Sequence, residues 1–230
     1  MTDCRSSSTT WSTAQQCVGF ALLLQFTLVC VIKGAQGKPE EIWWLSHISL
    51  LTSSVGLIGR RPWLIATALT NVLLLHAVWL ADLGAWLLTG DFPFLITAYL
   101  AEANRATWLA TSHHFYLMPG LLLMFLADPR YRRESLLLAC CLFLLLTLIS
   151  SLTLPAAANV NYAFFVPRGI APLGLGWLNQ LPRAYYLAGL NLTVSLFMFV
   201  PAAMVLTVIA HWRGFESLWA SRRRENRDTG

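Results

Sequence analysis

Six long runs of apolar residues constrain this chain more than any other feature of its sequence. They lie at residues 16–32, 42–59, 64–88, 106–126, 135–154 and 186–209. An α-helix rises about 1.5 Å per residue, so about 20 residues cross a hydrocarbon core of about 30 Å. We therefore expect an all-α fold: a polytopic helical membrane bundle of about six transmembrane helices spanning 16–210. A short segment at 1–15 precedes it, and a basic amphipathic tail at 211–230 follows it.

The composition supports this class of protein. The chain is 57% hydrophobic and 12% charged, whereas charged residues make up about a quarter of a soluble domain. This balance argues against a nucleic-acid-binding protein, a disulfide-stapled secreted domain and a disordered chain. We expect membrane lipids as partners, and the sequence leaves the oligomeric state open.

The first apolar run admits two readings, a retained helix or a cleaved signal peptide. We expect a retained helix, because the preceding residues are rich in Ser and Thr and Lys33 interrupts the region where a cleavage site would lie.

The positive residues separate by connection, and this separation predicts the orientation. Cytoplasmic loops carry an excess of Lys and Arg. With the N-terminus inside, five positive residues face outward: Lys33, Lys38, Arg105, Arg168 and Arg183. The other eleven lie on the cytoplasmic side: Arg5, Arg60, Arg61, Arg130, Arg132, Arg133, Arg213, Arg222, Arg223, Arg224 and Arg227. The sequence thus predicts a multi-pass protein of a bacterial-type cytoplasmic (inner) membrane, the cell membrane, with both termini inside.

Two connections on the predicted outer side are unusual. Residues 89–105 and 155–185 are too apolar for solvated loops and too rich in Pro and Gly for ordinary spans. Unpaired backbone cannot face lipid, so such segments must pack on the bundle or line a cavity. We expect two re-entrant or interfacial loops on the outer face, with a polar pocket beneath them.

Few ionisable residues lie within the spans, and each is a candidate for function. Counting residues from the outer ends places His47, Asp82, His113 and His114 in one layer, with His76 deeper. These four residues are the candidate acid, base or ligand groups, together with Asn161 from the second loop. The alternative is interhelical hydrogen bonding, in which Asp82 pairs with Arg105 or a histidine. No H-x-x-x-H or H-E-x-x-H spacing occurs, so the sequence predicts no metal site and identifies no cofactor.

The candidate substrate-binding residues lie in or beside the outer loops. They are Asn161, Tyr162, Asn179, Arg183 and Arg105. Arg183, just before the last span, suits a phosphate or carboxylate head group, although arginines at helix ends also act as interfacial anchors. The five cysteines show no metal or redox spacing.

One stretch of the sequence resembles a known family. The order Asn161-Tyr162, aromatic residues, a prolyl turn, Gly176-Trp177 and then Pro182-x-x-Tyr185-Tyr186 resembles the bacterial YwaF-type integral membrane proteins. That family has a G-P-W-P element before the last helix, where this chain has Gly-Trp-Leu-Asn-Gln-Leu-Pro at 176–182. A distant link to a eukaryotic membrane acyltransferase would imply a Cys–His site. We do not transfer that activity, because no cysteine is predicted opposite the histidines.

Three functions are compatible with these observations. The first is an intramembrane enzyme acting on a small amphipathic or lipid-linked substrate from the outer leaflet. The second is a transporter or permease component, favoured by Pro119 and Pro201 within spans but lacking a visible inverted repeat. The third is a structural or assembly subunit of a membrane complex.

Overall fold

The computed structural model describes residues 13–213, which form a bundle of six helical segments. The helices are α1 (Thr13–Ala35), α2 (Leu45–Ile58), α3 (Pro62–Thr89), α4 (Arg105–Ala127), α5 (Arg133–Thr153) and α6 (Arg183–Arg213). Within the described range there is no β-strand. The all-α polytopic fold expected from the apolar runs is confirmed, and its apolar helices indicate a membrane-embedded protein. The first twelve residues and all but three residues of the predicted tail lie outside the described part.

Five of the six helices are long and apolar enough to cross a membrane. The exception is α2, whose 14 residues reach only about 21 Å. A 3₁₀ turn at Pro39–Trp43 precedes α2 and extends this part of the chain. The second predicted span, 42–59, is therefore shorter as a regular helix than its apolar run suggests, because its first residues form the turn and not the helix.

The connections lie at two ends of the bundle. We call the end with residues 36–44, 90–104 and 154–182 the loop end, and the end with 59–61 and 128–132 the basic end. At the loop end the Gln36 amide donates to Thr107 Oγ1 at 3.0 Å. At the basic end the Ser135 hydroxyl donates to the Trp63 carbonyl at 3.0 Å. Contacts between residues distant in sequence thus fix both ends.

The third helix is the centre of the bundle. In its most apolar window 56% of the residues are buried, against 22% to 33% in the other four long helices. A helix that is apolar on all sides is expected in such a position. It begins at Pro62 and ends at Thr89, and the following Gly90, with a left-handed φ of 84°, caps it by donating its N–H to the Trp86 carbonyl. Because α3 is central, five of its polar side chains are buried in the bundle: Thr67, Thr70, Asn71, His76 and Asp82.

Both loop segments pack against the bundle through short 3₁₀ turns. Leu100, Val160 and Leu178 are fully buried. The Asn159 side chain accepts from the backbone N–H groups of Phe164 and Phe165, at 2.9 and 3.2 Å, and donates to the Phe165 carbonyl. The expectation of two apolar loops packed on the bundle is confirmed. Backbone groups without a ladder partner are satisfied here by asparagine side chains.

The sixth helix contains a wide turn. Residues Ser195–Phe199 adopt π-helical geometry within the longer helix. Pro201 follows two residues later and has no N–H to donate, so the regular pattern of α-helical hydrogen bonds could not continue through this point.

Candidate functional site

Four of the five histidines in the chain meet inside the bundle. His47 of α2, His76 of α3, and His113 and His114 of α4 form what we call the histidine cluster. The ring centroids of His113 and His114 lie 4.1 Å apart, those of His76 and His114 4.4 Å, and those of His47 and His113 5.1 Å. All four side chains belong to the buried core. The fifth histidine, His211, is exposed near the end of α6.

An irregular turn in α4 presents two of these histidines. The helix is interrupted at Ser112, directly before His113. Three successive carbonyl oxygens just before this point accept hydrogen bonds from side chains: Leu109 from Ser112, Ala110 from His113, and Thr111 from His114. Side chains that bond to nearby carbonyls compete with the helical ladder and bend helices. Pro119 does not interrupt α4, since His113–Ala127 runs through that proline.

Hydrogen bonds fix the tautomers of three rings. The Nδ1 atoms of His113 and His114 each lie 2.9 Å from a backbone carbonyl, and His47 Nδ1 lies 2.8 Å from the Glu41 carbonyl. A carbonyl oxygen can only accept, so in each ring Nδ1 carries the proton and donates it. In the neutral ring, Nε2 then holds a lone pair and can accept a proton or bind a metal. The cluster therefore presents three such nitrogens.

Three of the remaining ring nitrogens have no hydrogen-bond partner within the described chain. Both nitrogens of His76 and Nε2 of His113 are buried and form no hydrogen bond. The His114 ring stacks on Trp79 with centroids 4.4 Å apart, and its centroid also lies 4.4 Å from that of His76. A buried polar atom without a partner costs about 1–3 kcal/mol. Such atoms gathered at one place are typical of a functional site.

An ion pair between a buried lysine and a partly exposed glutamate lies beside the cluster at the loop end. Lys33, near the end of α1, is buried and pairs with the Glu41 carboxylate. Glu41 also lies 3.5 Å from Lys38 and contacts His47 through its backbone carbonyl. The residue that pairs with Lys33 thus also holds the His47 ring through its backbone.

Three of the histidines could hold a metal ion. One ligand atom from each of His76, His113 and His114 lies within 4.8 Å of the other two. The sequence expectation of no metal site depended on local spacing. That criterion cannot detect ligands separated by 37 or 38 positions and carried by two different helices.

Asp82 lies in a different environment from the histidines. Its carboxylate accepts from the N–H of Phe94 at 2.7 Å, and from the N–H and the hydroxyl of Thr97, each at 2.8 Å. The side chain is fully buried. These partners belong to the first loop segment, so Asp82 anchors that loop on α3. A catalytic role for Asp82 stays a prediction, and all its observed bonds are those of an anchor.

The asparagines predicted to bind a substrate bond to backbone. Asn161 Oδ1 accepts from the N–H of Leu45, the first residue of α2, and its amide donates to the Trp43 carbonyl, both at 2.8 Å. Asn179 accepts from the N–H of Val166 and donates to the carbonyl of the same residue. Both amides therefore hold the second loop in place.

The three other predicted binding residues differ in exposure. Tyr162 is half-buried, with its ring edge against Trp44, and removal from water raises the pKa of its phenol. Arg183 bonds to the Ser151 hydroxyl and carbonyl, and its guanidinium lies 3.9 Å from the centre of the Phe164 ring. Arg105 is exposed in the first turn of α4. Contact of any of these residues with a substrate stays a prediction.

His47, His113 and His114 lie together, as the residue counts predict, and His76 joins them. The counts treat every span as starting at one level and so predict Asp82 in the histidine layer and His76 below it. With 28 residues, α3 is about 42 Å long and extends beyond its neighbours at the loop end. Asp82 therefore lies at the level of the loop, and His76 lies at the level of the other histidines. The scarcity of histidine, with four of five inside spans, was the signal that could have included His76.

Comparisons with known proteins identify no relative. No protein-family model, no curated protein and no solved structure matches this chain. The resemblance to the YwaF-type proteins stays a prediction from the sequence.

Proposed function

We propose that this chain is an integral membrane enzyme whose histidine cluster performs acid–base chemistry on an amphipathic or lipid-linked substrate. The observation that carries the proposal is the convergence of four histidines from three helices at one buried place. Ionisable residues inside a membrane are costly to insert and commonly mark function. Packing alone gives no reason to bury several ring nitrogens without partners.

His47 is the best candidate for the base. Its Nδ1–H is held by the Glu41 carbonyl, so its Nε2 is oriented and able to take a proton. It is also the histidine joined to the loop end through Glu41 and Lys33. A positioned general base contributes on the order of 10²–10⁴-fold to a rate.

The lipid side of α4 offers a route for the substrate. Phe115 and Tyr116 follow His114 directly, and their side chains are 45% and 41% exposed. A lipid chain that lies along this surface would be one residue away from the cluster. Arg105, exposed at the loop end of the same helix, could contact an anionic head group. We propose that this end faces the outer leaflet of a cytoplasmic membrane, with both termini inside.

The test uses the full chain reconstituted in vesicles of phosphatidylethanolamine and phosphatidylglycerol. Mass spectrometry follows the lipids over time for the wild type and for His47→Ala and His114→Ala. We expect the wild type to consume or modify a lipid, and the variants to lose that change while staying monodisperse in detergent. His211→Ala is the matched control and should behave as the wild type. Unchanged turnover in both cluster variants would contradict the proposal.

Transport is the second candidate, and one observation favours it. The rings of His47, His113 and His76 form a continuous series of contacts from α2 to the middle of α3, as a relay for protons or cations would require. The same vesicles, loaded with a pH-sensitive dye, measure proton flux. Flux that depends on His47 without any change in lipid would favour transport. An effect of the substitutions on stability alone would leave the structural or assembly role.

A further inference from the structure

We infer that His76, His113 and His114 bind one divalent transition-metal ion, with Zn²⁺ as the ion to test. The inference rests on the proposed function in taking the histidine cluster as the site of chemistry, and it names the ion that this chemistry would use. Its first support is geometric. Ligand atoms from these three histidines lie within 4.8 Å of one another. Tetrahedral Zn–N bonds of about 2.0–2.1 Å hold two nitrogens roughly 3.4 Å apart, so only small ring rotations are needed.

The second support is the hydrogen bonding behind the ligands. A histidine that binds a metal almost always donates its other N–H to a carbonyl or carboxylate, which fixes the tautomer and the ring orientation. His113 and His114 meet this condition through the carbonyls of Ala110 and Thr111. These bonds arise from the irregular turn at Ser112. The fold thus holds both imidazoles in the form that ligation needs before any ion binds.

The third support comes from His76 in the facing helix. Within residues 13–213 neither of its nitrogens has a hydrogen-bond partner, although the residue is only 2% exposed. His113 Nε2 is likewise buried and unpartnered. A metal ion between the rings would satisfy nitrogens that the described chain leaves without partners. An apolar residue of similar size would fill the same space at lower cost.

The ligand set selects the class of ion. Three neutral imidazoles suit zinc and its neighbours in the first transition row, whereas Mg²⁺ and Ca²⁺ require oxygen ligands. No salt bridge joins these rings to a carboxylate in residues 13–213. Three protein ligands with an open fourth position are typical of catalytic zinc sites, in which a bound water loses a proton near neutral pH. His47, with its ring 5.1 Å from that of His113, lies where it could accept such a proton.

The experiment measures metal content independently of turnover. The full chain is purified in detergent, stripped with a chelator, incubated with Zn²⁺ and freed of unbound ion. Elemental analysis should then find roughly one zinc per wild-type chain. We expect His76→Ala, His113→Ala and His114→Ala each to fall to the background of the triple variant. His47→Ala and the matched control His211→Ala should keep the ion.

A second measurement guards against variants that fail to fold. Co²⁺ added to the stripped wild type should give the visible absorption bands of a nitrogen-ligated ion, and Zn²⁺ should remove them. A wild type that holds no more zinc than the folded triple variant would overturn the inference, as would single variants that keep the ion. Bound zinc without lipid turnover would contradict only the proposed function. Turnover that survives complete removal of the metal would contradict the inferred use of the ion in the chemistry and would leave the proposed function standing.

Discussion

The Asp82 carboxylate anchors the first loop on α3, and a substitution at Asp82 tests this assignment. Asp82→Asn keeps the size of the side chain but turns one acceptor into an NH₂ group that faces N–H or O–H donors from the loop. Hydrogen bonds to a charged group are worth about 1.5–3 kcal/mol each. We expect a clear loss of thermal stability in detergent, with the zinc content unchanged in the folded fraction. Asp91→Asn, exposed in the same loop, is the control. Loss of zinc without loss of stability would instead place Asp82 in the site.

The ion pair of Lys33 and Glu41 predicts an asymmetry between two substitutions. Glu41→Gln leaves the buried Lys33 ammonium without its carboxylate, whereas Lys33→Met leaves Glu41 with Lys38 as a partner. Breaking a buried pair by removing one partner costs about 3–5 kcal/mol, because the other charge stays buried. We expect Glu41→Gln to lower the melting temperature more than Lys33→Met does. Thermal unfolding of both variants and of the neighbouring Glu40→Gln checks this. Equal losses would mean that Lys33 reaches water.

Gly169 lets the two loop segments, 90–104 and 154–182, approach each other closely. A Cβ built on Gly169 would lie 2.0 Å from the carbonyl oxygen of Phe94, which is backbone and cannot rotate away. The N–H of Phe94 is in turn held by Asp82. We expect Gly169→Ala to separate the two segments and to destabilise the protein by at least the ~1–3 kcal/mol typical of overpacking.

Gly176→Ala is the matched control, because its new Cβ would meet Ala171 at 3.4 Å, close to ordinary contact. Limited proteolysis should cut the loop end of Gly169→Ala faster than that of the wild type and of Gly176→Ala. Identical digestion of all three proteins would show that the loops do not depend on this contact.

The elements also show what a sequence can predict. Apolar length placed five of the helices within three residues of their observed ends, since burial in lipid and the helical rise depend only on the run itself. The interruption of α4 could not be predicted in this way. It comes from the side chains of Ser112, His113 and His114, which donate hydrogen bonds to backbone carbonyls. Serine and histidine also occur in regular helices, so their presence does not predict an interruption. A proline at 119 was the more visible signal, yet the helix runs through it.

The different levels of Asp82 and His76 follow from the geometry of the whole bundle. Residue counts along a helix give depth only when all helices start at one level. The bundle does not meet this condition, since α2 has 14 residues and α3 has 28. Which residues share a layer therefore depends on how the helices are offset, and packing between distant segments sets that offset. The sequence predicts that buried histidines form the candidate site, but it does not predict that His76 is one of them and that Asp82 is not.

The bundle sorts its positive charges by end, and this sorting predicts its orientation. Six of the described Arg residues lie at the basic end: Arg60, Arg61, Arg130, Arg132, Arg133 and Arg213. At the loop end, five positive residues lie among acidic ones such as Glu40, Glu41, Asp91 and Glu102. Positive residues near span ends resist translocation, whereas acidic residues contribute little, so we expect the basic end to face the cytoplasm.

Labelling of single cysteines in a cysteine-free background tests this orientation. Glu102→Cys at the loop end and Glu134→Cys at the basic end are both exposed and remove no positive charge. In intact cells a membrane-impermeant thiol reagent should label Glu102→Cys alone, and it should label both variants once the membrane is opened. The reverse pattern would place the loop end in the cytoplasm. The histidine cluster, which lies nearer the loop end, would then receive its substrate from the inner leaflet.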